Sequence, residues 1–563
     1  MDWTQLLNPG RLCRPDYADK PDRPAYLQDY DRILFSEPFR RLAQKTQVHP
    51  LYDHDHVHHR MIHSMETSSV GRSLGIQVGQ ALVKDGRLQE GLQHVIAGTV
   101  QAACLVHDIG NPPFGHSGEA SIGAWFAQKF AADAGKRSGI AGGIPPERRA
   151  EFTAFEGNAQ GFRIVSRLEM ARREGGMRLS YATLGAFAKY PCTAAAAADA
   201  GHSYVGLKKF GTFASDEDLF AEVATALGLP EERTAAGHRW WRRHPLAFLV
   251  EAADDICYRI LDLEDAATVG DLDSAVVSEI LEEITGKPNR APDPGMTLSD
   301  RTGMLRAMAI GAAIDSAVTA FLDHYDDIMA GTFNDGLMEV SSKASAFKRL
   351  KEISNARIFT AQRKTELEVV GRKVLFTILD EFHDLFIALK DCNWDAEQLL
   401  QEHGYWTQLV RAVDLDLRGI EDDYTAAHAL TDFVSGMTDR YALRVRDMIT
   451  GQVPTALIGT DAFQEADTVG LTRHCTKHNY LVKDPERLGA TIEEAFRIAT
   501  TGRPGPVLID FPKDCQLATL PKDEIDFDPD FALPGYRPEI RKAAAEQISQ
   551  VVAAIRRSKR PVI

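Results

Sequence analysis

The chain has 563 residues, too many for one ordinary domain, so its length predicts roughly two to four domains. Hydrophobic residues make up 44% of the chain and charged residues 26%, which is typical of a globular protein that folds in water. The 64 basic and 80 acidic residues give a net charge of −16, which excludes general binding of nucleic acid by bulk electrostatics.

The cysteines and the N-terminal residues predict the cellular compartment. The seven cysteines are widely scattered and form no CxxC pair, which fits reduced thiols and excludes a cysteine-based zinc site. The first residues lack the basic and then apolar pattern of a signal peptide. No apolar run approaches the length of a membrane span. We therefore expect a cytoplasmic protein that makes no contact with a membrane.

Helical periodicity runs through most of the chain, from about residue 30 to residue 445. Apolar residues recur at three- and four-residue spacing in 61–83, 94–109 and 244–266. Interruptions of the helical pattern, as loops or small excursions, are predicted for 136–149, which contains Gly and Pro, and for the alanine run at 193–203. This pattern predicts a mainly α-helical first domain.

The pattern changes after about residue 450. Short β-rich runs at 452–459, 479–484 and 504–512 are bounded by Gly and Pro, and a helical segment at 485–502 lies between the last two. Strands that alternate with helices predict a parallel α/β sheet. Because the strands are so few, we expect this α/β part to be a truncated fragment.

The first candidate site is the sequence CLVHDIGNPPFGHSGE at 104–119, which places a His-Asp pair after an apolar run. With His63 and one aspartate of the sequence EAADDICYRI, His107 and Asp108 supply two imidazoles and two carboxylates. Such a set suits Mn²⁺, Fe²⁺, Co²⁺ or Zn²⁺, and Mg²⁺ where phosphate and water complete the coordination. A His-Asp pair alone often occurs by chance, so this interpretation depends on the combination.

A polar row follows one face of the helix predicted for 244–266. Asp254, Tyr258 and Asp262 are spaced four residues apart, so they lie on the same face. The row can hold a metal ligand at one end and groups that bind a sugar at the other. The alternative is an amphipathic helix whose acidic residues are merely solvated, and the apolar residues around the row argue against it.

The sequence NPPFGHSGE places a second histidine near the His-Asp pair. Its prolines and glycines fix a tight backbone path, which holds His116 close to His107 and Asp108. Glu119, three residues further on, can hydrogen-bond the imidazole and set its tautomer. The alternative is a loop that ends a helix and carries an incidental histidine.

Six segments, in this order along the chain, closely resemble the deoxyguanosine triphosphate triphosphohydrolases of the HD superfamily. They are 40–48, 59–75, 103–119, 155–169, 183–191 and 244–266. The resemblance covers about residues 25–445. It implies an all-helical HD-domain hydrolase, usually oligomeric, that cleaves a deoxynucleoside triphosphate into the deoxynucleoside and inorganic triphosphate.

The resemblance also implies a role for each candidate residue. The implied metal ligands are His63, His107, Asp108 and Asp254, and the implied catalytic pair is His116 with Glu119. The implied substrate contacts are Gln47, Tyr258 and Asp262 at the deoxyribose, Arg60, Asn111 and Lys189 at the phosphates, and Asn158 and Gln160 in the same pocket. The implied cofactor is Mg²⁺ or Mn²⁺, which acts as Lewis acid and activates water. The implied partners are dGTP or another dNTP, a second copy of the chain, and a nucleotide or single-stranded DNA as effector.

The C-terminal part resembles a different family. Residues 449–518 resemble the pyrimidine-binding domain of the acetolactate synthase large subunit, and 536–563 resembles the start of its middle domain. The predicted domains are therefore 1–447, 448–535 and 536–563. The resemblance implies that Phe463 and Gln464 lie near thiamine, but the glutamate that activates the cofactor and the whole diphosphate-binding domain are missing. We therefore expect no functional thiamine diphosphate site and no synthase activity.

The predicted function is metal-dependent hydrolysis of dGTP, and of other dNTPs, to deoxynucleoside and inorganic triphosphate. Two alternatives stay open at this point. The first is an HD phosphohydrolase that acts on another nucleotide, such as a monophosphate. The second is a regulatory protein whose site only binds a nucleotide, and the apparent catalytic imidazole argues against it.

Overall fold

The structure is a computed structural model of the chain. It describes residues 1–47, 58–132, 139–200, 204–286, 295–358, 360, 362–450, 476–501, 504–512, 515 and 545–557. The chain forms two compact units, Met1–Arg446 and Asp447–Ile563. The first unit therefore ends one residue before the predicted end of the hydrolase domain. Phe463, Gln464 and the predicted strand 452–459 lie outside the described residues.

The described part of the first unit is mainly α-helical, as predicted. Its first helices are α1 (Trp3–Leu6), α2 (Ala25–Leu34), α3 (Glu37–Arg41), α4 (Arg60–Lys84), α5 (Leu92–Val106), α6 (Gly115–Ala132), α7 (Ala150–Thr153), α8 (Gly157–Arg163), α9 (Glu169–Arg172), α10 (Tyr181–Phe187), α11 (Ala194–Asp199) and α12 (Glu217–Leu227). A short antiparallel hairpin follows, formed by β1 (Glu231–Arg233) and β2 (Arg239–Trp241).

The later helices of the first unit follow the hairpin. They are α13 (Pro245–Val269), α14 (Ser274–Thr285), α15 (Leu298–Asp323), α16 (Tyr325–Ala330), α17 (Leu337–Val340), α18 (Ala344–Ile353), α19 (Gln362–Asp391), α20 (Ala396–Glu402), α21 (Gly404–Val413), α22 (Asp423–Gly436) and α23 (Asp439–Thr450). Short 3-10 or π-helical turns occur at Leu42–Gln44, Ile140–Gly143, Pro146–Arg148, Ile164–Leu168, Val205–Leu207, Ala214–Asp216 and Ser354–Ile358.

Helices α4 and α5 pack closely because α4 presents glycines at four-residue spacing. A Cβ atom on Gly75 would lie 2.8 Å from the Cα of Ala97, and one on Gly79 would lie 2.7 Å from the Cα of Gln93. Residues four apart share one face of a helix, so these glycines form a groove for α5. The close packing fixes the start of α4 relative to the end of α5, where the candidate metal ligands lie.

Helix α13 is bounded by strong local signals. His244 caps its N-terminus through a hydrogen bond to the Leu246 amide, and Pro245 occupies its first position. Gly270 ends it in a left-handed conformation with φ of 86°. These signals set the register of the polar row on this helix.

Two expectations from the sequence are wrong in the first unit. The alanine run is helix α11 and not a loop, because alanine has the highest helix propensity and Thr193 caps the helix. The stretch Asp300–Asp323 of α15 is also long and apolar enough to span a membrane, with a mean hydropathy of 1.5. Half of that stretch is buried, and α15 packs against α4, α13 and α14 in the manner of a core helix.

The described part of the second unit has α/β character. Strand β3 (His478–Leu481) pairs in parallel with β4 (Val507–Asp510), and His478 lies opposite Val507. Helix α24 (Leu488–Thr500) connects the two strands, and α25 (Ala545–Arg557) follows. The order strand, helix, strand matches the sequence prediction for 479–512.

Candidate active site

A cavity of about 440 Å³ in the first unit collects most of the candidate residues. Its walls come from α4, from the loop and helix that follow α5, and from α13. Ten of the predicted residues line it: Gln47, Arg60, His63, His107, Asp108, Asn111, His116, Glu119, Asn158 and Lys189. Asp254 and Tyr258 of α13 line it as well.

The four predicted metal ligands lie together in this cavity. Nε2 of His63 lies 3.1 Å from Oδ1 of Asp254. Nε2 of His107 lies 3.5 Å from that same oxygen and 3.6 Å from Oδ1 of Asp108. Donor atoms of His63, His107 and Asp108 all lie within 4.8 Å of one another. Two imidazoles and two carboxylates at this spacing can hold one divalent cation.

The hydrogen bonding of His107 supports a metal-binding role. Its Nδ1 lies 2.7 Å from the carbonyl oxygen of Cys104, so Nδ1 carries the hydrogen and Nε2 is left as the basic nitrogen. This buried Nε2 has no hydrogen-bond partner among the described residues. The two carboxylates beside this nitrogen need a positive charge between them, which either a proton on Nε2 or a bound cation can supply.

Charge balance keeps the carboxylates ionised. Burial opposes ionisation of Asp108, but Arg60, whose Nη1 lies 2.7 Å from Oδ2, and His107 outweigh it and lower the pKa of Asp108 to about 2. Burial also disfavours a charged His107, yet Asp108 and Asp254 raise its pKa to about 9. Burial opposes ionisation of Asp254 too, but His107 holds its pKa well below the usual range. Ionised carboxylates are the form that binds a metal.

His116 and Glu119 form a hydrogen-bonded pair at the start of α6. Nδ1 of His116 lies 2.7 Å from Oε2 of Glu119, and the amide of Gly157 donates to Oε1 at 2.8 Å. The His116 side chain is 75% exposed, whereas that of Glu119 is 9% exposed. Burial raises the pKa of Glu119, but the hydrogen bond from His116 outweighs it and the net shift is downward. The pair is thus a carboxylate-oriented imidazole whose Nε2 is not bonded to Glu119.

Two of the predicted site residues, Gln160 and Asp262, do not line the cavity. Gln160 is fully buried, and its Nε2 donates to Asp432 at 2.8 Å. Residues two apart on a helix do not share a face, so Gln160 cannot accompany Asn158 into the cavity. Asp262 lies one turn beyond Tyr258 and is 3% exposed. Burial and then Asp265 raise its pKa well above the usual range.

The cavity also contains charged residues that the sequence analysis missed. Nζ of Lys209 lies 2.8 Å from Oε1 of Glu156. Glu251 contacts both Lys189, at 3.2 Å, and Arg243, at 2.7 Å. Glu251 lies three residues before Asp254 on α13 and therefore on the same face of the helix. An extension of the polar row by one turn would have predicted it. Lys209 lies outside every recognised motif, and no sequence signal marks it.

Comparison with known proteins identifies the family. No family model matches the chain. A deoxyguanosinetriphosphate triphosphohydrolase-like protein of Synechocystis sp. is 38% identical over 460 residues, which cover 80% of this chain and 99% of the relative. The chain belongs to the deoxyguanosinetriphosphate triphosphohydrolase-like family. A family member from Pseudomonas aeruginosa is also 38% identical, over 469 residues, with 80% of this chain and 99% of the relative covered.

Relatives with the shorter name deoxyguanosinetriphosphate triphosphohydrolase match as well. The protein of Serratia proteamaculans is 30% identical over 487 residues, covering 74% of this chain and 92% of the relative. The resemblance to triphosphohydrolases that the six segments indicated is thus confirmed. The comparisons do not support the resemblance of the C-terminal part to a synthase subunit.

Proposed function

We propose that the chain hydrolyses dGTP to deoxyguanosine and inorganic triphosphate, with a divalent cation as cofactor. The observation that carries the proposal is the position of the His116–Glu119 pair, in the same cavity as His63, His107, Asp108 and Asp254. A protein that only binds nucleotide needs the metal ligands and cationic groups but has no use for an oriented imidazole.

The donor set fits Mg²⁺ or Mn²⁺ held by the two imidazoles and two carboxylates. When bound, such an ion supplies Lewis-acid polarisation of the α-phosphoryl group and activation of water. The basic Nε2 of His107 and the ionised state of Asp108 and Asp254 support this assignment.

His116 is the proposed proton donor to the leaving group. Water attacks the α-phosphorus and releases a proton to solvent, and the bond from phosphorus to the 5′-oxygen breaks. The 5′-oxygen takes a proton from Nε2 of His116, and solvent returns a proton to the ring. Glu119 accepts the hydrogen bond from Nδ1, which orients the ring. The products are then the deoxynucleoside and the whole triphosphate.

Cationic groups around the cavity are proposed to bind the triphosphate. Lys189 and Arg60 each pair with one carboxylate, Glu251 and Asp108 respectively, and retain further N–H donors. Burial lowers the pKa of Lys189, but Glu251 outweighs it and the net shift is upward, so the side chain stays charged. Asn111 and Asn158 add neutral donors to the same wall.

Gln47 and Tyr258 are proposed to face the deoxyribose. Oε1 of Gln47 is buried and has no hydrogen-bond partner among the described residues, so it can accept from the 3′-hydroxyl. The Tyr258 ring lies edge-on to His63, with ring centroids 6.3 Å apart. A phenol ring packed against the sugar leaves no room for a 2′-hydroxyl, which favours deoxyribose. Asp262, which lies one helical turn beyond Tyr258, is also proposed to belong to the deoxyribose site.

Four further assignments are proposals. The enzyme is cytoplasmic, forms a homo-oligomer and responds to a nucleotide or to single-stranded DNA. Residues 1–447 form the hydrolase domain, whereas 448–535 and 536–563 are synthase-like fragments without a functional thiamine diphosphate site. The parallel pairing of β3 and β4 supports an α/β fragment. Calorimetry with thiamine diphosphate, expected to give no binding, tests the last point.

The deciding experiment is product analysis of the purified full chain with each dNTP and with GTP. We expect tripolyphosphate and deoxynucleoside, most rapidly from dGTP, in the presence of Mn²⁺ or Mg²⁺ and lost on chelation. Release of orthophosphate from a nucleoside monophosphate, without tripolyphosphate from any dNTP, would favour the alternative phosphohydrolase. Nucleotide binding without any product would favour the regulatory alternative.

A further inference from the structure

The loop that carries His116 adopts an unfavourable backbone conformation. Phe114 and Gly115 follow one another in the left-handed region, with φ of 63° and 59°. A bulky residue such as phenylalanine rarely adopts this conformation unless other contacts hold it. Because His116 comes next in the chain, these two residues decide where its imidazole lies.

Asp439, the first residue of α23, holds this loop from a distant part of the chain. Its Oδ1 accepts a hydrogen bond from the Phe114 amide at 2.9 Å. Its Oδ2 accepts from the Thr46 amide at 3.0 Å and from the Thr46 hydroxyl. The side chain is 3% exposed and is not part of the cavity wall. One buried carboxylate thus joins the loop to the segment before α4.

Two further contacts fix the same loop. Nζ of Lys45 donates to the carbonyl of Asn111 at 2.6 Å and to that of Ser435 at 2.7 Å, so the start of the loop is tied to the end of α22. The Phe114 ring packs on α19, where a Cβ added to Gly371 would lie 2.8 Å from the ring. The loop is therefore held at residue 111, at the Phe114 amide and at the Phe114 ring.

We propose that Asp439 is a positioning residue for His116. It accepts a hydrogen bond from the Phe114 amide and keeps Phe114 and Gly115 in the left-handed backbone conformation, which places the His116 imidazole for proton transfer. Asp439 touches neither the proposed substrate nor the metal ligands. Its Oδ1 acts on His116 through the Phe114 amide, whereas its Oδ2 holds Thr46, the residue before Gln47. The inference rests on the proposed function, since it concerns how the proposed proton donor is placed.

The first test is the Asp439→Asn variant of the full chain. The amide group has nearly the same shape, but its NH₂ must face either the Phe114 amide or the two donors of Thr46, so one contact becomes repulsive. We expect kcat for dGTP to fall about 100-fold, the size of effect that a misplaced catalytic group produces. The amount of bound Mn²⁺ per chain should stay unchanged, and the loss in kcat should exceed any change in the KM for dGTP that the Thr46 contact, next to Gln47, produces.

A double-mutant cycle separates positioning from a general structural role. In the His116→Ala background, measured in single turnovers with excess enzyme, Asp439→Asn should change the rate by less than about two-fold. The same 100-fold loss in both backgrounds would overturn the proposal. Asp422→Asn is the matched control, because Asp422 also accepts a hydrogen bond from a backbone amide at a helix start, that of Thr425, and does not line the cavity. We expect its kcat to stay within about two-fold of the wild type.

Gly371→Ala is a second, independent probe that pushes the Phe114 ring from the opposite side. Its rate loss should likewise disappear in the His116→Ala background, and it serves if Asp439→Asn does not fold. A wild-type chain that releases no tripolyphosphate would contradict the proposed function itself. An active wild type with an unaffected Asp439→Asn variant would overturn only the positioning role.

Discussion

Nδ1 of His116 lies 2.7 Å from Oε2 of Glu119, and this contact orients a ring that is itself largely exposed to solvent. The second carboxylate oxygen of Glu119 accepts a hydrogen bond from the amide of Gly157, at the N-terminus of α8. At its other end, α8 is held by an ion pair between Arg163 and Asp432, at 2.9 Å. The orientation of an exposed imidazole thus depends on a buried network on its far side.

The His116→Ala variant should lose activity without losing its fold or its metal. We expect kcat for dGTP to fall about 100- to 10,000-fold, the usual contribution of a general acid or base. The melting temperature and the bound Mn²⁺ should match the wild type, because the exposed His116 side chain contributes little to packing. Steady-state kinetics and metal analysis test this, and near-normal activity would contradict the assignment.

Removal of a metal ligand should abolish both metal binding and activity. Asp254→Asn replaces the carboxylate that lies close to both His63 and His107. We expect Mn²⁺ affinity, measured by calorimetry, to fall at least about 100-fold, because the site loses a charged ligand. Asp255→Asn is the control, since it changes the adjacent carboxylate outside the ligand set. Equal loss of Mn²⁺ in both variants would argue against the proposed set.

Two adjacent lysines provide a matched test of triphosphate binding. Lys209 lines the cavity beside Glu156, whereas Lys208 is exposed and does not line it. We expect Lys209→Met to raise the KM for dGTP about ten-fold, since one charge-assisted contact contributes about 1.5–3 kcal/mol. Lys208→Met should leave KM unchanged. Equal KM values for the two variants would exclude Lys209 from substrate binding.

The stability of the first unit should depend on the ionisation of His244. Burial lowers the pKa of His244 to about 4, and its Nδ1 accepts the Leu246 amide while Nε2 donates to the carbonyl of Leu6. The unfolded chain takes up this proton near pH 6.5, whereas the folded chain does not until about pH 4. The contribution of His244 to stability is therefore full above pH 6.5 and is lost as the pH falls toward 4.

Urea denaturation of the wild type and of His244→Asn measures this effect. The asparagine keeps an acceptor for the helix cap but does not titrate. Between pH 7 and pH 5, the free energy of unfolding of the wild type should drop by about 2 kcal/mol more than that of the variant. If the difference in free energy of unfolding between the wild type and His244→Asn does not change with pH, His244 is not buried as a neutral ring.

Limited proteolysis should separate the two units. The first unit ends at Arg446, and we expect early cleavage between residues 445 and 455. The retained N-terminal fragment should release tripolyphosphate at the rate of the full chain, because every proposed site residue lies in it. Mass spectrometry and the product assay check both points. A C-terminal part as resistant as the N-terminal part would contradict this prediction.

The sequence predicted those features that local patterns encode. The row from Asp254 to Tyr258 follows from helical spacing, and His107 with His116 follows from one short motif. Gln160 does not line the cavity with Asn158, because residues two apart on a helix point to different sides. The alanine run interrupts the apolar periodicity, but a helix cap and high helix propensity together favour α11 there.

Local sequence patterns do not predict long-range contacts. Lys209 reaches the cavity from a loop without any recognised motif. Asp439 meets the loop of His116 across 325 residues of sequence, and nothing local to either segment indicates that contact. Tertiary packing alone brings these groups together, which is why only the structure revealed them.

The hydrogen bond between Phe114 and Asp439 also sets an order of events during protein synthesis. Phe114 leaves the ribosome 325 residues before its partner. At about 5–20 residues per second, this separation corresponds to roughly 15 to 65 seconds. All four proposed metal ligands precede Asp439 in the sequence, so they leave the ribosome before the contact that holds the His116 loop can form. An unfinished chain that stops short of Asp439 would therefore carry the proposed metal ligands without the contact that is proposed to place His116.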